Sequence, residues 1–171
     1  MYVTPAREQV VDFIAYVIVG NQIVVQKGNP KHVTDQNGMC GLQVAVTVNT
    51  AFAASARKLS ADCVAAGKKA IELLLLPGST NVALALAQGR ADAALNSTAT
   101  VAAMMATNPD TFERAGPPFD ANTKIGIALS KSNPELTAQL RQALDAMIKD
   151  GSYAKLLKKW NLPDQASIAS S

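Results

Sequence analysis

The sequence predicts an α/β fold in which a parallel-rich sheet carries helices on its faces. Three observations carry that expectation. Short, almost continuously apolar runs at 41–48, 71–76 and 91–95 read as buried strands. Ala-rich segments with helical spacing follow them, at 51–66, 80–88 and 97–107. A helix between consecutive strands acts as a crossover, and parallel pairing requires one.

The run at 41–50 anchors this reading. Val44, Val46 and Val48 supply β-branched residues to a strand, and Asn49 and Thr50 stand where a helix needs a side-chain oxygen to cap its first N–H groups. Unfilled N–H groups at such a turn also attract an anion, although most strand-to-helix turns bind nothing. Upstream, Thr4 as N-cap, Pro5 at the first helical position and Glu8 near the capping-box position make a helix start. Residues 16–26 are β-rich but interrupted by Gly20 and Asn21, which predicts a hairpin or one long strand that bends. Residues 27–39 form a polar loop holding the single histidine, His32, expected to be solvated.

Gly67 stops the helix at 51–66, whose one face carries Phe52, Ala56, Leu59 and Cys63. Pro77, Gly78 and Ser79 break the next strand, Gly89 stops the second helix, and Asn108 with Pro109 stops the third. A strand at 111–115, a turn at Gly116-Pro117-Pro118 and a strand at 124–129 are expected next. Residues 132–135 form a capping sequence for a helix with the apolar stripe Leu136, Leu140, Leu144, Met147 and Ile148, closed by Gly151. A last amphipathic helix covers 152–160, and the small polar residues 163–171 are expected to be disordered.

With 171 residues the chain can bury a real core. Its net charge of +3 is too small and scattered to argue for nucleic acid. No apolar run approaches the length of a membrane span, and residues 1–7 lack the basic head and apolar block of a signal peptide. Cys40 and Cys63 are two buried thiols in a cytosolic protein or one disulfide in an exported one, and their spacing leaves both readings open. A cross-link of that loop length contributes about 3 kcal/mol.

Five pieces then match one family in order. TPAREQVVDF at 4–13 resembles the T-P-E-R…V-D-F segment of amino-acid-type substrate-binding proteins of bacterial ABC importers, the family 3 solute-binding proteins. VAVTVNT at 44–50 is similar to their V-A-V-x-x-G-T strand and turn, and GRADA at 89–93 to their G-R-A-D-A. GIA at 126–128 resembles their returning strand, and DGSY at 150–153 with KKWNL at 158–162 resembles their C-terminal motif. The resemblance implies a type II periplasmic-binding-protein-like clamshell with ligand held between two α/β lobes. It implies a complete second lobe at 24–119, a first-lobe remnant and crossing strand at 1–23, and a returning strand and C-terminal helices at 120–162. Family members carry half of the first lobe ahead of the T-P-E-R segment, so the chain is expected to be N-terminally truncated.

Residue by residue, Arg7 matches the arginine that pairs with the ligand carboxylate, a task suited to a planar bidentate donor. Thr50 matches the second-lobe threonine that meets the same carboxylate, and Tyr2 falls where a small hydroxyl residue is usual. Asn49 replaces the usual glycine and Ala51 a frequent polar residue. Ser97 occupies the position where amino-acid binders commonly carry an aspartate for the ligand ammonium, and losing that charge partner weakens amino-acid binding. The resemblance also implies a Cys40–Cys63 disulfide and a periplasmic setting.

The expected function is non-catalytic binding of a small carboxylate ligand, an amino acid foremost, delivered to an ABC importer permease, with no cofactor and no metal. A cyclohexadienyl-dehydratase-like enzyme needs a general acid or base, and Arg7, Asn49, Thr50, Asn96 and Ser97 supply none. A third reading comes from the stripe at 136–148: without first-lobe strands to cover it, the remnant is expected to self-associate as a dimer or domain-swapped homo-oligomer.

Overall fold

The computed structural model describes residues 1–162 and 166–169. The chain divides into two compact units: unit 1 is Met1–Gly20 with Asp120–Ser171, and unit 2 is Asn21–Phe119. Two long strands, β1 (Val11–Gln26) and β5 (Phe112–Ser130), each contribute residues to both units. Between them lie β2 (Gln43–Thr47), α2 (Ala51–Ala65), β3 (Glu72–Leu76), α3 (Ser79–Ala87), β4 (Ala93–Ser97) and α4 (Thr98–Thr107). A short α1 (Pro5–Glu8) precedes β1, and α5 (Pro134–Lys149) and α6 (Ser152–Lys159) follow β5.

The strand order in the sheet is β3-β2-β4-β1-β5. β2 pairs in parallel with β3 and with β4, as the helical crossovers require, whereas β1 runs antiparallel to β4. The sheet is therefore parallel-rich and mixed. In unit 2 the core gathers Val24, Ala45, Ala94 and Phe112 from strands with Val82, Leu86, Val101 and Met104 from α3 and α4. Burying each Val or Leu of this kind contributes roughly 1.5–3 kcal/mol. Helix α2, none of whose residues joins that cluster, packs on β2, β3 and β4 as well. That double cover explains why Val44, Ala45 and Val46 are all buried instead of alternating.

Cys40 and Cys63 form a disulfide with a Cα–Cα separation of 5.7 Å, tying the segment before β2 to the last turn of α2. In unit 1, residues 1–3 pair with β5: Val3 N–H donates to the Lys124 carbonyl at 2.9 Å and Gly126 N–H to the Met1 carbonyl at 2.8 Å. Tyr153 on α6 donates its hydroxyl to the Tyr16 carbonyl at 2.9 Å and accepts from Ile168 N–H at 3.0 Å. Part of the tail expected to be disordered, 163–165 and 170–171, lies outside the described residues; within it Ala166 is buried.

Several local expectations change. Residues 16–26 are one strand and not a hairpin, and that strand begins at Val11, ending the helical turn at Glu8. Thr4 sits at the N-cap but makes no capping hydrogen bond through its side chain. Gly116-Pro117-Pro118 does not turn the chain, because β5 runs through it. β5 is the last strand of the sheet, so a proline lacking an N–H removes no ladder bond on the outer side. Ser97 ends β4 and caps α4 instead of opening that helix. The capping sequence at 132–135 holds as expected, with Asn133 the residue that caps α5 by accepting from Leu136 N–H at 3.1 Å.

Candidate functional site

In unit 2 the C-terminal ends of the parallel strands β2 and β4 collect the N-termini of α2, α3 and α4, the edge where open α/β sheets place ligands. β2 ends at Thr47, and the chain turns through Asn49, whose φ of 59° lies in the left-handed region. Asn tolerates that conformation better than other side chains, which accounts for its standing where a glycine was expected. Changing Asn49→Val should cost about 1–2 kcal/mol, against no loss for Asn49→Gly, as read from urea unfolding midpoints.

Thr50 then caps α2. Its Oγ1 donates to the Thr47 carbonyl at 2.6 Å and accepts from Ala53 N–H at 3.3 Å. The hydroxyl proton is thus already engaged, and what Thr50 offers an incoming oxygen is a turn geometry more than a spare O–H. Ala51, first in the helix, has no intrahelical acceptor for its N–H. Thr47 Oγ1 nearby is buried and makes no hydrogen bond among the described residues.

At the end of β4 the side chains are neutral and buried. Asn96 Oδ1 accepts from Ser97 N–H at 2.9 Å, and Asn96 Nδ2 reaches Ser79 Oγ on α3 at 3.5 Å. Ser97 Oγ accepts from Thr100 N–H at 3.0 Å and shares a 2.8 Å hydrogen bond with Thr100 Oγ1. Ser97 therefore serves as a helix cap. The antiparallel register sets Asn21 opposite Ser97 and Gln22 opposite Asn96. Asn21 Nδ2 donates to Ser55 Oγ on α2 at 2.9 Å, and Gln22 Nε2 donates to the carbonyls of Ile23 and Gly116, each at 3.1 Å. A band of amides and hydroxyls thus links β1, α2, α3 and β4 along this edge.

Sequence reasoning passed over Asn21, Gln22, Ser55 and Ser79. The available signal was polar residues inside an apolar strand, read at Gly20 and Asn21 only as an interruption.

Tyr2 and Arg7 lie in unit 1 and touch each other: Arg7 Nη1 donates to the Tyr2 carbonyl at 2.8 Å. Arg7 is exposed, and no carboxylate pairs with it among the described residues. Tyr2 bridges to Ile125, and partial burial raises its phenol pKa above the ordinary value. Thr50, Asn49 and Ser97 lie in unit 2. Thr50 and Ser97 cap separate helices and do not bond each other. His32 is an exposed loop residue, as expected. No helix among the described residues is long and apolar enough to cross a membrane.

Residues 1–163 match the family described as bacterial extracellular solute-binding proteins, family 3. The arginine-binding protein ArgT of Corynebacterium glutamicum is 31% identical over 160 residues, covering 92% of this chain and 51% of that protein. Among solved structures, an ancestral arginine-binding protein bound to arginine shares 29% identity at a TM-score of 0.72, covering 94% of this chain and 68% of that one. The ancestral amino acid-binding protein AncCDT-1, a precursor of cyclohexadienyl dehydratase, shares 27% identity at a TM-score of 0.71, covering 94% and 66%. The chain thus spans about half the length of ArgT and two thirds of these structures. With a match over residues 1–163, the chain belongs to the family 3 bacterial extracellular solute-binding proteins.

Proposed function

We propose that this chain is a non-catalytic, periplasmic solute-binding component of an ABC importer, taking an amino acid or related small carboxylate. The match over residues 1–163 carries the reading, and arginine is the first ligand to test because the relatives are named for it. In this reading residues 24–119 act as the second lobe, and 1–23 with 120–162 as what is present of the first. Arg7 holds the ligand carboxylate with its remaining guanidinium donors, and the α2 N-terminus at Asn49 and Thr50 adds backbone donors. Tyr2 positions Arg7 through its carbonyl. Ser97 gives a ligand ammonium only a neutral partner, so affinity for amino acids is expected to be weakened, and micromolar binding would show that Ser97 is not disabling.

Calorimetric titration with the amino acids, beside sulfate as a simple anion, tests this. Arginine or another amino acid should bind, and Arg7→Ala should weaken it at least tenfold, since a charged hydrogen bond contributes about 1.5–3 kcal/mol. Silence across the whole panel would sink the proposal, and turnover of a prephenate-like acid would overturn its non-catalytic part.

Self-association through unit 1 is a second reading, favoured by the absence of any buried residue on α5. Light scattering at tens of micromolar should then show a dimer or larger species, and a clean monomer excludes it.

A further inference from the structure

One dipeptide of unit 2 carries covalent chemistry of its own. Asn37 is the single asparagine of the sequence that a glycine follows. Glycine has no side chain to shield its backbone nitrogen, so in an Asn-Gly pair that nitrogen reaches the asparagine amide more easily than in any other. Asn37 and Gly38 are both exposed, in a four-residue 3-10 turn, Gln36–Met39, that leads into Cys40 and its disulfide.

The fold holds this pair away from reaction in two ways. Gly38 N–H donates to Asp35 Oδ1 at 3.0 Å and to the Asp35 carbonyl at 3.2 Å, so the nitrogen that would attack is engaged twice. A carboxylate acceptor also disfavours loss of the proton, which attack requires. The turn is the second hold. Helical ψ at Asn37 carries the Gly38 nitrogen away from the Asn37 side-chain carbon, and ring closure needs a ψ outside the helical range. The Asn37 carbonyl is tied as well, accepting from Cys40 N–H at 3.3 Å. Reaction therefore requires the turn to open, and Asp35 is the side chain whose bond keeps it closed.

We propose that Asn37 is the chain's site of spontaneous conversion to aspartate and isoaspartate, and that the Asp35 carboxylate sets the rate by holding the Gly38 N–H. In the step the Gly38 nitrogen gives up its proton and bonds to Asn37 Cγ, the Cγ–Nδ2 bond breaks, and Nδ2 leaves with a proton as ammonia. Water then opens the cyclic imide at one carbonyl or the other, giving aspartate or isoaspartate, and nothing is oxidised or reduced. Either product places a new negative charge beside Asp35. Isoaspartate also lengthens the main chain just before Met39, a fully buried residue, and the disulfide at Cys40. No ligand takes part, so the outcome is independent of the binding proposal.

The test follows ammonia release and isoaspartate by peptide mapping while the full chain is incubated at mildly alkaline pH. The folded chain should convert slowly at Asn37, the chain in guanidinium chloride much faster, and Asn37→Gln should remove the early product in both. Asp35→Ala should raise the folded-state rate about fivefold, the scale of losing one capping side chain. Asp35→Asn keeps an oxygen for the Gly38 N–H and should stay near the parent rate. In guanidinium chloride the parent and both Asp35 variants should react alike. Asn96, buried at the end of β4, reports general loosening, and its conversion should be equal in the three folded chains. Ammonia appearing first from another asparagine, equal folded and unfolded rates, Asp35→Ala no faster than the parent, Asp35→Asn as fast as Asp35→Ala, or a matching rise at Asn96 would each overturn the proposal.

Discussion

Replacing Gly116 by alanine should cost about 2–5 kcal/mol, enough to remove much of the stability of an ordinary domain. Two effects add. Gly116 has a φ of 67°, where any side chain is strained, and an added Cβ would come within 2.9 Å of the Thr34 carbonyl carbon and closer still to its oxygen. Both atoms are backbone, so neither rotates away. The carbonyl of Gly116 also accepts from Gln22 Nε2, so a shift of this segment disturbs a buried amide as well. Gly67, with a φ of 71° and open space beside it, separates the effects: Gly67→Ala carries the conformational cost alone, about 1–2 kcal/mol. Urea unfolding of both variants reads the difference. Equal losses would mean that the close approach to Thr34 is absent.

Opening the Cys40–Cys63 disulfide is expected to lower stability by about 3 kcal/mol. The bond joins residues 23 apart in sequence, and removing it restores the freedom of that loop to the unfolded chain. The native state loses a constraint too, because the bond holds the segment before β2 against the end of α2. Urea midpoints with and without dithiothreitol, and for the Cys40→Ala/Cys63→Ala pair, should fall together. A midpoint unmoved by complete reduction contradicts the expectation.

Much of the fold was legible because its signals are local. The apolar runs around Val44–Val46 and Leu73–Leu76, each followed by an Ala-rich helix, fix strand, crossover and strand without knowledge of the partners. Gly67 and Asn133 mark helix ends through chemistry confined to one turn. What failed depended on distant neighbours. Pro117 and Pro118 read as a turn because sequence does not reveal that β5 is the last strand of the sheet. The antiparallel run of β1 beside β4 was equally hidden, since β1 precedes every crossover.

The candidate site divides the same way. The strand-to-helix junction made Asn49 and Thr50 legible as a turn and a helix cap, which is where they stand. The amide band was not, because Asn21 is satisfied by Ser55 and Gln22 by Gly116, partners far away in sequence. Periodicity showed which face of α5 is apolar but says nothing about how much of it is covered.

The neutrality of the unit 2 edge has a thermodynamic consequence. Thr47, Asn49, Thr50, Ser55, Ser79, Asn96 and Ser97 hold no group that gains or loses a proton near neutrality. An amino acid gripped by this edge would therefore exchange no protons with it. Between about pH 6 and 8, binding heats measured in phosphate and in Tris should agree, because buffer ionisation enters only when protons move. Any hydrogen bond these side chains offer would be as available in mildly acidic as in neutral solution.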